Sequence, residues 1–188
     1  MVRGSANPVA ELVTDRLKLR QWRDADRAPF AALNADPEVM RHFPATMTRA
    51  QSDEFAGYVY DTIDREGWGL WAVEVTDGPP FVGFVGLNRV SFTAHFTPAV
   101  EVGWRLARPF WGNGYATEAG AAALTFGFEQ LDLDEIVSFT SPLNEPSIRV
   151  MRRLGMRHDI AGDFDHPRVA EGSPLRRHVL YRLAKHAS

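Results

Sequence analysis

Leu17 and Leu19 alternate with Arg16, Lys18 and Arg20, the two-residue period of a half-buried strand, within a stretch from Glu11 to Trp22. The period then lengthens. Asp24 stands where a helix cap belongs, and Phe30 and Leu33 share one face of a helix reaching about Asn34. Thr48 opens a second helix through Asp64, with Phe55, Val59 and Ile63 spaced four apart, and Gly67 stops it. Aromatic and β-branched residues dominate Trp68–Val75 and Phe81–Val90, and Thr76-Asp77-Gly78-Pro79-Pro80 between them is turn chemistry. An antiparallel hairpin is predicted there, with Trp68, Trp71, Phe81 and Phe84 as core or cleft wall.

Residues 92–98 connect to another strand, Ala99–Leu106. After residues 107–115, apolar positions crowd a helix from about Ala116 to Gln130. Ala119, Ala121, Ala122, Ala123, Leu124, Phe126 and Phe128 predict that this helix is largely buried. Glu135–Thr140 reads as a short apolar strand, and Asn144–Leu154 as a helix closed by Gly155. Met156–Ile160 and Arg177–Leu183 read as final strands around a polar loop. This order predicts one mixed α/β domain over residues 11–188, preceded by a flexible polar arm at residues 1–10.

Of the 188 residues, 45% are hydrophobic and 24% charged, enough apolar material for one core. Lys plus Arg number 21 against 24 Asp plus Glu, a formal net charge of −3, whereas a dedicated nucleic-acid binder carries a basic excess. Nucleic acid is therefore not an expected partner. The chain has no cysteine, so disulfide scaffolds, thiolate metal sites and cysteine nucleophiles are excluded together. His158, His166 and His178 match no metal-ligand spacing, and no metal is expected. No apolar run approaches the roughly 18 residues of a membrane helix, and MVRGSANPVAEL lacks the apolar centre of a signal peptide. The expectation is a cytoplasmic protein without a membrane partner.

The segment with most chemical content is Gly112-Asn113-Gly114 between a strand and a helix. Glycines there let the backbone turn tightly and present N–H groups, and the following helix adds its own unpaired N–H groups and positive dipole end. An anion, above all a phosphate, suits such a turn; a helix entry needing two flexible residues would look the same. Two other phosphate motifs fail. A Walker loop needs Gly-Lys-Ser/Thr where Gly114-Tyr115-Ala116 stands, and a dinucleotide fingerprint needs a small residue at Thr117 and a turn after the first strand.

Val100-Glu101-Val102-Gly103-Trp104-Arg105-Leu106, with Pro109-Phe110-Trp111-Gly112-Asn113-Gly114-Tyr115-Ala116-Thr117-Glu118-Ala119, resembles the acetyl-CoA-binding core of the GNAT acyltransferases. Asn144-Glu145-Pro146-Ser147-Ile148-Arg149-Val150-Met151-Arg152-Arg153-Leu154-Gly155-Met156 resembles their next helix. Thr14-Asp15-Arg16-Leu17-Lys18-Leu19-Arg20 resembles the first strand of the RimJ/RimL branch, the ribosomal-protein N-terminal acetyltransferases. In matching order the likeness covers residues 11 to 183. It implies the GNAT acyl-CoA N-acyltransferase fold: a central, mostly antiparallel twisted sheet of about seven strands with helices on both faces. The implied activity is transfer from acetyl-CoA to a primary amine, on a protein N-terminus or a small molecule, by direct attack in a ternary complex. An acyl-CoA-binding or regulatory module with weak catalysis is the alternative. Dimers are common among relatives, so the resemblance also implies a possible homodimer.

By the same resemblance, backbone groups of Trp104, Arg105 and Leu106 bind the pantetheine arm, and an N–H near Trp104 polarises the thioester. Gly112, Asn113, Gly114, Tyr115 and Ala116 hold the pyrophosphate. Two positions depart from the family pattern: Pro109 replaces a Gln or Arg at the start of the phosphate loop, and Met151 replaces a Tyr that protonates the departing thiolate. Ser147, Met151 and Leu154 share one helix face, so Ser147 is the substitute donor, or else a first-turn serine satisfying the backbone. Asn144 is the helix cap, a pantetheine ligand, or both. Glu101 lies on the strand face opposite Val100, Val102 and Trp104, and a carboxylate in an apolar setting has a raised pKa suited to a base. Asp163, Asp165, His166, Glu171 and His178 are its rivals in the late loop. Glu118 is predicted to point away from the loop, because it would repel a pyrophosphate. Arg149, Arg152 and Arg153 form a basic face on the Asn144–Leu154 helix, with Arg157 beyond it, for CoA phosphates or for solvent.

Overall fold

Leu17 and Leu19 are fully buried, as their alternation predicts, but the segment holding them is two strands rather than one. The structure, a computed structural model, describes residues 8–185, so residues 1–7 of the predicted arm lie outside it. β1 (Leu12–Val13) and β2 (Leu17–Arg20) pair antiparallel around a turn at Thr14. Thr14 N donates to Leu17 O at 2.9 Å, and its hydroxyl accepts from Leu17 N at 3.0 Å. A threonine hydroxyl that captures nearby backbone groups breaks a strand in this way.

Asp24 is not a cap either. It begins a single 3₁₀ turn, Asp24–Asp26, ahead of α1 (Arg27–Ala35). Asp26 instead accepts from Arg23 N at 2.7 Å, because the buried Arg20 draws its carboxylate inward at 2.8 Å. A short helix that periodicity did not predict, α2 (Pro37–Met40), follows and is capped by Asp36, which accepts from Glu38 N at 2.8 Å. α3 (Arg49–Glu66) starts and stops as predicted. Thr48 and Gln51 cap one another reciprocally, a device worth about 1 kcal/mol, and Gly67 closes the helix at φ 81°.

The hairpin forms from β3 (Leu70–Val75) and β4 (Gly83–Arg89), and β5 (Val100–Leu106) pairs with β4 over its whole length. Then come α4 (Tyr115–Glu129), β6 (Glu135–Thr140), α5 (Glu145–Arg153), β7 (Arg157–His158), β8 (Phe164–Asp165) and β9 (Arg177–Ala184). Strand order in the sheet is β1-β2-β3-β4-β5-β6-β9-β7, with β8 also on β9. Two short pieces raise the count from about seven to nine: the divided first strand and β8, read as loop from its polar setting. β5 and β6 are parallel; the other pairs are antiparallel.

Side-chain parity places helices on both faces. Phe84 turns toward Phe30 of α1 and Phe55 of α3, at ring separations of 6.0 and 5.9 Å. Trp71, on the other face, meets Phe126 of α4 at 5.4 Å. Each fully buried apolar chain of this kind contributes about 1.5–3 kcal/mol. α4 is less buried than its composition suggests: Ala119, Ala123 and Leu124 face the sheet, whereas Ala121, Thr125 and Glu129 are exposed. Alanine suits either face, so an alanine-rich stretch overstates burial.

Candidate active site

The parallel pair makes the site. β5 and β6 bridge at one position only, Glu101 opposite Val137. Past it the two strands share no pairing, and a cleft of about 730 Å³ opens along Val102–Leu106 on one side and Ser138–Thr140 on the other. That volume suits a small-molecule or cofactor site. Strand parity sends Glu101, Gly103 and Arg105 to the face of α1 and α3, and Val102 and Trp104 to the other.

One end of the cleft is the glycine turn. Gly112 and Gly114 adopt φ 79° and 81°, the left-handed region in which a side chain is strained, although a Cβ would meet nothing closer than 3.5 Å at either. Backbone conformation, not lack of room, therefore selects glycine here. Gly114 is the N-cap of α4 and offers no side chain, so the first-turn N–H groups of Tyr115, Ala116 and Thr117 have no side-chain cap. Glu118 turns away, as predicted: it accepts from Thr14 Oγ1 at 2.6 Å and from Arg16 Nε at 2.7 Å. These contacts hold its carboxyl below the usual carboxylate range despite the opposing effect of burial. Arg16 also donates to Asn113 O at 3.0 Å and lies 5.1 Å from the Tyr115 ring. Its anchoring role escaped the sequence reading because it spans 97 residues. The geometry fits a pyrophosphate: uncapped N–H groups, a dipole, and a neutralised carboxylate.

At the other end, burial pushes the Glu101 carboxyl up to about 7. Ser147 lies across the cleft in the first turn of α5. Its oxygen accepts from Trp104 Nε1 at 3.3 Å, leaving the hydroxyl proton free to donate. Asn144 caps α5: Oδ1 accepts from Ser147 N at 3.3 Å, and Nδ2 donates to Thr140 Oγ1 at 3.0 Å. The capping alternative thus holds. Met151 is 1% exposed and carries no proton to give. Leu106 O already accepts from Trp111 Nε1 at 2.8 Å, which leaves the Leu106 N–H as the group it can offer a ligand.

Among Glu101's rivals, only His166 and His178 reach the cleft. Asp163 is occupied by His158 Nε2 and Leu180 N, at 2.8 and 3.0 Å, and Asp165 pairs with Arg176 and Arg177. Glu171 is exposed and away from the cleft. Burial first, then His178 and Arg168, lowers His166 to about 4, and burial lowers His178 as well. A group with so low a pKa is a poor proton acceptor near neutrality. On α5, Arg149 and Arg153 line the cleft, and Glu145 holds Arg149 and Arg152 at 3.7 and 3.9 Å. Arg157 is exposed in β7.

A splayed parallel pair leading to a helix N-terminus whose first-turn N–H groups have no side-chain cap is the arrangement that the resemblance to acetyl-CoA-dependent acetyltransferases implies. Comparison with known proteins agrees. The family model for the acetyltransferase (GNAT) domain matches residues 16–157, and the chain belongs to this family. It is 33% identical over 153 residues to YkkB of Bacillus subtilis, covering 81% of this chain and 88% of that one. A GNAT-family acetyltransferase from Bacillus anthracis superposes with a TM-score of 0.76 at 23% identity, over 93% of this chain and 98% of the other. RimJ of Mycobacterium smegmatis, solved in complex with CoA-disulfide, gives a TM-score of 0.72 at 23% identity, over 96% and 88% of the two chains. Among the described residues no helix is long and apolar enough to cross a membrane.

Proposed function

We propose that this chain transfers the acetyl group of acetyl-CoA directly to a primary amine in a ternary complex, with Glu101 as base and Ser147 as donor to the departing sulfur. One observation carries the reading: Glu101 and Ser147 approach the same cleft from opposite faces of β5, the carboxyl raised to about 7 and the hydroxyl free to donate. Base and donor belong on opposite sides of the transferred group, since one serves the entering nitrogen and the other the leaving sulfur.

When bound, acetyl-CoA supplies an acetyl group activated as a thioester. The N–H groups of Gly112 to Ala116 would hold its pyrophosphate, and backbone groups of Trp104, Arg105 and Leu106 its pantetheine arm. A main-chain N–H near Trp104 would donate to the thioester oxygen. Glu101 would take the proton of the amine. From an α-amino group, with a pKa of about 8, that transfer is uphill by about one unit; from a lysine it is uphill by more than three. The pKa of Glu101 therefore favours an α-amine, and the fold likeness to RimJ supports a peptide N-terminus and the RimJ/RimL branch. The absence of cysteine supports direct transfer, and the need for acetyl-CoA supports a cytoplasmic site of action.

Met151 favours the second reading, an acyl-CoA-binding module without turnover, because no phenol stands on the inner face of α5. Thiol release from acetyl-CoA against α-amino peptides, lysine and small amines separates the two. Stoichiometric thiol with acetylated α-amine is the expected outcome. Acetyl-CoA binding without thiol release on any acceptor would establish the module.

A further inference from the structure

The described residues include two buried arginines, and they differ in what answers their charge. Arg20, 1% exposed, is held by Asp26 at 2.8 Å and Glu74 at 2.7 Å, and its charge is neutralised within the fold. Arg105, 8% exposed, has no carboxylate within 4.0 Å among the described residues. Its one hydrogen bond among them runs from Nη1 to the neutral amide oxygen of Asn34 at 2.6 Å. Asn34 is itself fixed by donating from Nδ2 to Ser52 Oγ at 2.9 Å. Nε is buried without a partner. The guanidinium carbon lies 4.2, 5.5 and 5.8 Å from the ring centres of Phe43, Phe84 and Phe55. Aromatic faces soften the cost of a buried cation but do not replace a counter-ion. Burial lowers the guanidinium to about 10, so it stays charged at neutral pH.

Arg105 also lines the cleft, on the face of β5 that carries Glu101. Arg105 stands four positions after Glu101, roughly 13 Å along a strand. Gly103 stands between, and a Cβ there would meet only Glu101 Oε1, at 3.4 Å, so the space above it is open. With Nη1 committed to Asn34 and Nε enclosed, Nη2 is the donor left to meet a carboxylate. We propose that Arg105 is the acceptor-specificity residue and binds an anionic group, a carboxylate, carried by the same molecule whose amine is held at Glu101. This rests on the reading of the cleft as an amine-acceptor site. The carboxylate could belong to an acidic side chain near a peptide N-terminus or to a small amino acid.

Two pairs of probes distinguish those sources: the amidated dipeptides Ala-Glu and Ala-Gln, and 4-aminobutyrate and its amide. Each is titrated calorimetrically into the protein saturated with CoA, so the readout does not depend on turnover. The acidic member of at least one pair should bind about ten- to a hundredfold tighter than its neutral partner, the range of a charged hydrogen bond. The pair that shows it names the source. In Arg105→Gln the ratio should fall to about one. Asn34→Asp keeps the arginine but supplies an internal counter-ion; it should also abolish the preference, and it decides the matter if Arg105→Gln does not fold. A ratio near one in the wild type for both pairs, binding of no probe, or a ratio that survives the substitution would overturn the proposal. A wild-type preference that is lost in the variants, found without thiol release, would defeat the transfer reading alone. Thiol release with a ratio near one would defeat the anion site alone.

Discussion

Ser147 shows how one hydroxyl can serve two masters. Its backbone N–H is spent on the Asn144 cap, its oxygen accepts from the Trp104 indole, and the residue lines the cleft. A hydroxyl so placed would donate, under the proposed mechanism, to negative charge developing on sulfur without becoming a strong acid itself. Ser147→Ala should lower kcat about ten- to a hundredfold, the worth of a hydrogen bond to a charged group, while the calorimetric Kd for acetyl-CoA stays the same. Full turnover in the variant would leave the Ser147 hydroxyl as a partner of the Trp104 indole alone. At this scale the sequence was legible where chemistry is local. The faces on which Glu101 and Ser147 lie follow from strand and helix periods, but the aromatic setting of Arg105 depends on Asn34, Phe43 and Phe55, distant in the chain. No spacing rule joins them.

The glycine turn is an element held from outside. Arg16, in the turn between β1 and β2, grips Asn113 O and neutralises Glu118, which would otherwise oppose a bound pyrophosphate. Arg16→Ala removes both effects. Acetyl-CoA affinity should fall several-fold to about tenfold, most at low salt where an unpaired carboxylate is least screened, and calorimetry at two salt concentrations measures it. Unchanged affinity would detach Arg16 from the site. Elements with strong local signals were predicted within a residue or two: Thr48 and Gly67 bound α3, and Asn144 and Gly155 bound α5. The failures have two causes: Thr14 and the Asp36 cap of α2 act through local bonds that hydrophobic periodicity does not register, whereas Asp26 is drawn inward by the buried Arg20. The exposed stripe of α4 was hidden because alanine carries little preference for either side.

Taken as a whole, the molecule buries a carboxyl and then opens a cleft beside it. The antiparallel sheet keeps β5 paired with β4 throughout, and the lone bridge to β6 at Glu101 and Val137 marks where the floor parts. Burial at that point raises the Glu101 carboxyl to about 7. The sign follows directly: the carboxylate able to accept a proton accumulates above pH 7 and is lost below it. The most direct test is kcat against pH at saturating acetyl-CoA and acceptor, for wild type and for Glu101→Gln. The wild-type rate should rise through an apparent pKa near 7, and the variant should lose that limb and about a hundredfold or more in turnover. A variant that turns over at the wild-type rate, with the same rise, would contradict the account.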